Sequence, residues 1–132
     1  RLYGAGLSLI GTRRIDLVYF STTMFFAMPL GRLWRRRTGV PFVLDMQDPW
    51  VSDYYETHPD VTPPRKHALS RRAHAMLERY TMQAACGLVA VSAPYIGTLR
   101  QRYPRLADVP AITLPFAASP VDFEVLATQP QA

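Results

Sequence analysis

Four short apolar runs, near residues 16–20, 41–46, 87–91 and 111–114, are each bounded by polar residues, glycine or proline. Runs of this length and composition suit strands buried within a sheet. Between them lie segments with helical periodicity. Residues 2–10 are small and apolar and predict a helix packed against a sheet. After the first strand, Ser21 or Thr22 is placed to cap a helix whose Phe26, Leu30, Leu33 and Trp34 recur at spacings of three and four. Pro29 interrupts that pattern, so this helix is kinked or begins late. Arg35, Arg36 and Arg37 sit at its C-terminal end, where cations favour the dipole, and Gly39 is placed to end it.

The longest helix is expected from Arg65 to Ala85. Leu69, Ala73, Met76, Leu77, Tyr80 and Ala84 form its apolar stripe, with Ser70, Arg71, His74, Glu78 and Arg79 off it. A further helix over 93–103 takes Ser92 as N-cap and Pro94 in its first turn. Ile96, Leu99 and Tyr103 form its buried side, and Pro104 stops it. Strands thus alternate with helices four times. That order predicts an α/β, Rossmann-like parallel sheet with helices on both faces and right-handed crossovers. Ligands of such sheets bind beyond the C-terminal strand ends. Those ends carry Ser21 and Thr22, the turn Gln47-Asp48-Pro49-Trp50, Ser92, and Pro115-Phe116.

The composition fits a single globular domain: 132 residues, 48% hydrophobic and 19% charged. Residues 1–126 read as one partial domain, and 127–132 as a cut tail or the start of an interdomain linker. The lone Cys86 excludes an internal disulfide and reads as an inert thiol. The apolar stretch 17–34 is interrupted by Pro29, Gly31 and Arg32, which argues against a membrane span. The net charge of +5 gathers in Arg35–Arg37 and in Arg65, Lys66, Arg71 and Arg72. Such clusters serve as solvated faces or attract phosphates, nucleic acid or anionic lipid.

Among candidate side chains, Asp48 stands out, on a turn held by Pro49 at a strand's C-terminal end. There it either orients or deprotonates an acceptor hydroxyl, or caps its own turn. Trp50, Tyr54 and Tyr55 offer stacking surfaces, or pack beneath the long loop 51–64. Ser92 caps its helix, and that terminus also suits a phosphate. Asp45 reads as structural. His58, His67 and His74 form no metal set, and nothing selects Asp45, Asp48 and Asp53 as a Mg²⁺ site over a solvated acidic turn. A basic α/β module binding nucleic acid or another polyanion, without catalysis, is the competing class, but its aromatic residues are not interleaved with the basic ones as stacking platforms would be. A different nucleotide-binding enzyme would need a phosphate-loop motif, which does not occur.

The order of these segments resembles the N-terminal domain of GT-B fold glycosyltransferases of the glycosyltransferase 4-like group, over roughly residues 12–124. The residues are Asp16–Ser21, Gly39-Val40-Pro41-Phe42-Val43-Leu44-Asp45-Met46-Gln47-Asp48-Pro49-Trp50, Gly87–Ser92, Arg102-Tyr103-Pro104, Leu114-Pro115-Phe116 and Pro120-Val121-Asp122-Phe123. The family's first strand with its glycine-rich loop is not in this chain, and its usual glycine after the last strand is Ala117 here. The resemblance implies the acceptor-side half of an enzyme that moves sugar from a nucleotide-sugar to a glycan or lipid-linked acceptor. It implies no metal and no cofactor, the donor being held by a second domain, so this chain alone is expected to lack turnover. A cytoplasmic protein is expected, at the membrane face, with Trp34 beside Arg35–Arg37 and the basic 65–85 helix against anionic lipid, and with no nucleic-acid partner.

Overall fold

Strands form where the apolar runs place them. The computed structural model describes residues 1–21, 23–117, 119–121 and 124. Its strands are β1 (Val18–Ser21), β2 (Phe42–Met46), β3 (Gly87–Ala90) and β4 (Ala111–Thr113). All pair in parallel, in the order β1-β2-β3-β4. The helices are α1 (Leu2–Thr12), α2 (Pro29–Thr38), α3 (Tyr54–Thr57), α4 (His67–Met82) and α5 (Ala93–Arg102). The result is the Rossmann-like α/β architecture with an all-parallel sheet that the alternation predicts, but the expected helices on both faces are not seen among the described residues: they cover one face. The resemblance's Asp122 and Phe123, the tail 127–132 and the capping candidate Thr22 lie outside the described residues.

The register places Phe20 beside Leu44, Leu44 beside Leu88, and Leu88 beside Ala111. Because side chains alternate along a strand, that face also carries Phe42, Met46 and Ala90. All of these but Ala111 are buried in the core, with Trp34 of α2, Met82 at the end of α4 and Ile96 and Leu99 of α5. The opposite face carries Tyr19, Val43, Asp45, Val89 and Ile112, of which Tyr19 and Ile112 are 49% and 59% exposed. Among the described residues the helices gather on the first face, and the strand order explains it. Right-handed crossovers that always step the same way across a sheet leave α2, α4 and α5 on one side.

Helix α2 begins late, at Pro29, after a 3₁₀ turn over Phe25–Ala27. Ser21 therefore ends β1 rather than capping α2. Gly39 closes the helix in the left-handed conformation at φ 81°, as its position predicts. Gly31 lets α2 press onto the sheet: a Cβ there would meet Phe42 Cδ2 at 2.7 Å and Phe20 Cε2 at 2.8 Å. Both neighbours are buried rings with little room to move. Gly31→Ala should cost about 1–3 kcal/mol through overpacking, read as a lower melting temperature. An unchanged melt would show that helix and sheet can separate without loss.

Two sequence expectations need correction. Trp34 is not a lipid anchor: it is 8% exposed, stacks on Phe20 at 6.0 Å and donates its indole N–H to Tyr3 O. The stripe expected on α4 is also turned. Leu69 and Met76 are 73% and 72% exposed, whereas Glu78, Thr81 and Met82 are buried. The helix buries polar groups because each finds a partner. Thr81 bonds Leu77 O, and Glu78 Oε2 accepts from Arg102 Nη1 at 3.0 Å and from the Tyr103 hydroxyl at 2.6 Å. Burial and the Glu78 bond raise the Tyr103 phenol above its ordinary range.

Part of the basic excess is structural. Arg32, Arg35 and Arg105 donate to the carbonyls of Tyr80, Ala84 and Ala85. These carbonyls lie around the C-terminal end of α4, where a helix leaves acceptors unpaired. No helix among the described residues is long and apolar enough to cross a membrane.

Candidate active site

The C-terminal ends of β2 and β3 meet by register. Met46 pairs with Ala90, so Asp48 and Ser92 each lie two residues beyond the same rung. Tyr95, in the first turn of α5, ties these ends together. Its hydroxyl donates to Asp48 O at 3.3 Å and accepts from the Trp50 N–H at 3.2 Å. Burial pushes the Tyr95 phenol up to about 12, so it stays protonated and can hold both bonds.

Asp48 itself is exposed, and no described group bonds its carboxylate. A turn cap would show a bond from that carboxylate to nearby backbone N–H, and none is made among the described residues. Ser92 occupies the N-cap position of α5 in extended conformation, yet its hydroxyl makes no capping bond. The N-terminus of α5 thus carries a Ser92 hydroxyl with no bond among the described residues, and Tyr95 of its first turn links it to the backbone of Asp48.

The residues that follow the Asp48 turn help line a cavity of about 240 Å³. Trp50, Tyr54 and Tyr55 come together in its lining, as grouped by the sequence reading, whereas Asp48 and Ser92 are not part of it. Trp50 is only 5% exposed and stacks on Phe25 at 5.3 Å, so an edge rather than a face is available. Tyr54 and Tyr55 lie on the short helix α3 and meet edge to face at 5.3 Å.

Helix α4 supplies the wall that the sequence reading did not assign: His67, Ser70, Arg71 and His74. Their spacing of three, four and seven places them on one helical face, which is the signal that would have found them. The Trp50 indole N–H donates to His74 Nδ1 at 3.1 Å. An indole can only donate, so Nδ1 accepts and the ring proton sits on Nε2. His74 thereby keeps an N–H donor at the cavity. Arg71 bonds Asp53 at 3.0 Å and Glu56 at 2.9 Å, and Arg102 bonds Asp53 at 3.3 Å. These pairs fasten the loop after β2 to α4 and α5.

Asp45 has a different setting. It projects on the open sheet face, accepts from Ser21 Oγ at 3.0 Å and from Gln47 Nε2 at 3.4 Å, and lies against the Tyr19 phenol. Partial desolvation and the bond to Asp45 raise the Tyr19 phenol above its ordinary value. With Asp45 facing that way and Asp53 paired to arginines, the three aspartates do not converge. Among the described residues no group of three or more His, Cys, Asp or Glu side chains is placed to hold a metal ion.

Open parallel sheets bind their ligands beyond the C-terminal strand ends, and here that edge carries Asp48 and Ser92, whose side chains make no bond among the described residues. The family follows from comparison with known proteins. The sequence pattern of the glycosyl transferase 4-like domain matches residues 3–115, and the chain belongs to that family. Sugar donors and acceptors are therefore the substrates that its family implies. No curated protein matches the chain.

Proposed function

We propose that this chain is the acceptor-side domain of a GT-B fold glycosyltransferase that uses a nucleotide-sugar donor and a glycan or lipid-linked acceptor. The observation that carries the reading is the exposed Asp48 carboxylate, unbonded among the described residues, beside the N-terminus of α5. In this reading the acceptor hydroxyl oxygen forms the new glycosidic bond while the nucleoside diphosphate departs with the electrons of the old one. Asp48 takes the hydroxyl proton. Trp50, Tyr54 and Tyr55, with the N–H of His74, line the place for an acceptor ring. Ser92 and the first turn of α5 face phosphate oxygens. The donor is held mainly by a second domain, and the reaction calls for no metal or cofactor.

The test is release of nucleoside diphosphate by the full-length protein, offered a panel of nucleotide-sugars with glycan and lipid-linked acceptors. Release that depends on both substrates is expected. Absence of release across the panel would overturn the reading.

The proposal places the protein at the cytoplasmic face of an anionic membrane. Its support is the outer side of α4, where exposed Leu69 and Met76 lie among exposed Arg65, Lys66, Arg72 and Arg79. Each basic residue near such a surface contributes on the order of 1 kcal/mol. Co-sedimentation with vesicles should rise with anionic lipid and fall with salt. Equal binding to neutral and anionic vesicles removes this placement.

A further inference from the structure

A second concavity, of about 540 Å³, lies between α4 and the end of α5. Its lining is Ala75, Arg79 and Gln83 from α4 and its exit, with Arg102, Tyr103 and Arg105 opposite. Three guanidinium groups thus share one groove. Arg102 is spent on Glu78 and Asp53. Arg79 and Arg105 have no carboxylate partner among the described residues, and both are exposed. Arg105 uses Nη1 on Ala85 O, which fixes its side chain and leaves its other N–H groups open. The Arg79 side chain makes no bond to a described group.

A solvated basic face would spread its charges outward. Here three arginines line one hollow, and Glu78, the buried acid behind it, is already paired with Arg102 and bonded by the Tyr103 hydroxyl. We propose that this groove binds a phosphate group, held by Arg79 and Arg105 against the wall formed by Arg102 and Tyr103. Guanidinium groups match phosphate oxygens in charge and in forked geometry. The groove lies where α4 and α5 end, and helix C-termini offer no free N–H and carry the negative end of the dipole. The arginines must therefore supply the positive charge that recognition needs, so losing one is costly. The site is separate from the Asp48 edge and does not depend on the transferase reading.

The test uses the full chain with inorganic pyrophosphate as probe, by calorimetric titration, and with vesicles containing phosphatidic acid, by co-sedimentation. Saturable binding that weakens tenfold or more in Arg79→Gln, with an unchanged melting temperature, supports the site. Arg105→Gln should weaken it similarly, and Arg36→Gln/Arg37→Gln should not. Saturation by pyrophosphate identifies a soluble phosphate ligand. Binding only to the vesicles, still dependent on Arg79, identifies a lipid headgroup. No saturable binding to either probe, or equal losses from Arg79→Gln and from the Arg36/Arg37 variant, would overturn the proposal. Either failure leaves the nucleoside diphosphate assay untouched.

Discussion

Asp48→Asn in the full-length protein is expected to lower turnover by roughly 10² or more, the usual scale for a lost general base, with the melting temperature nearly unchanged. The expectation rests on the proposed mechanism and on the geometry of the turn. Pro49 restricts Asp48 to an extended backbone, which projects its side chain from the sheet edge. The carboxylate makes no bond to a described group, so replacing it by an amide breaks none of the described contacts. Tyr95 holds the turn through backbone atoms of Asp48 and Trp50, which the substitution leaves in place. A turn cap would give the reverse pattern: near-normal turnover per folded molecule and a loss of about 0.5–2 kcal/mol. One activity assay and one melt on the same sample separate the two. Near-normal turnover with an unchanged melt would remove Asp48 from the site.

The largest effect on stability is expected at Arg102. Glu78 is fully buried. Among the described residues its charge is held by Arg102 and the Tyr103 hydroxyl alone, and its Oε1 is unbonded. Arg102→Leu leaves an uncompensated buried carboxylate, at a cost of about 3–5 kcal/mol. It also removes the bonds from Arg102 to Asp53 and to Val51 O, so the loop after β2 should become easier to cleave by protease. Glu78→Gln added to Arg102→Leu removes the stranded charge and should recover more than half of the lost stability. Urea unfolding of the parent, the single and the double variant measures this. A single-variant loss below about 1 kcal/mol, or no recovery in the double variant, would show that Glu78 is satisfied by other means.

The same pair explains what the sequence did and did not disclose. Strands were legible because a buried strand needs a run of apolar residues that no partner can supply. The C-terminal stop of α2 was legible because Gly39 adopts a conformation that most residues avoid. The orientation of α4 was not. Counting apolar positions put Leu69 and Met76 inside, since Glu78 and Thr81 are costly to bury alone. The cost of Thr81 is offset by a carbonyl one turn away, but that of Glu78 by Arg102 at the end of α5 and Tyr103 just after it, and such long-range partners leave no local trace. The site divides likewise. Trp50, Tyr54 and Tyr55 were found together because they follow one strand. His74 and Arg71 arrive from a helix some twenty residues on, and only the fold brings them to the same cavity.

The strand order has a consequence for how the chain is made. Among the described strands each pairs with the one completed just before it, and none slips between two earlier ones. A sheet of that kind can grow outward from its first strand as the ribosome delivers the chain, each helix closing over a rung already formed. Domains that fold in the order of synthesis expose unpaired edges only briefly, and only at the growing side. Among the described strands that side is β4, the last of the four to emerge and the one whose pairing completes the described sheet.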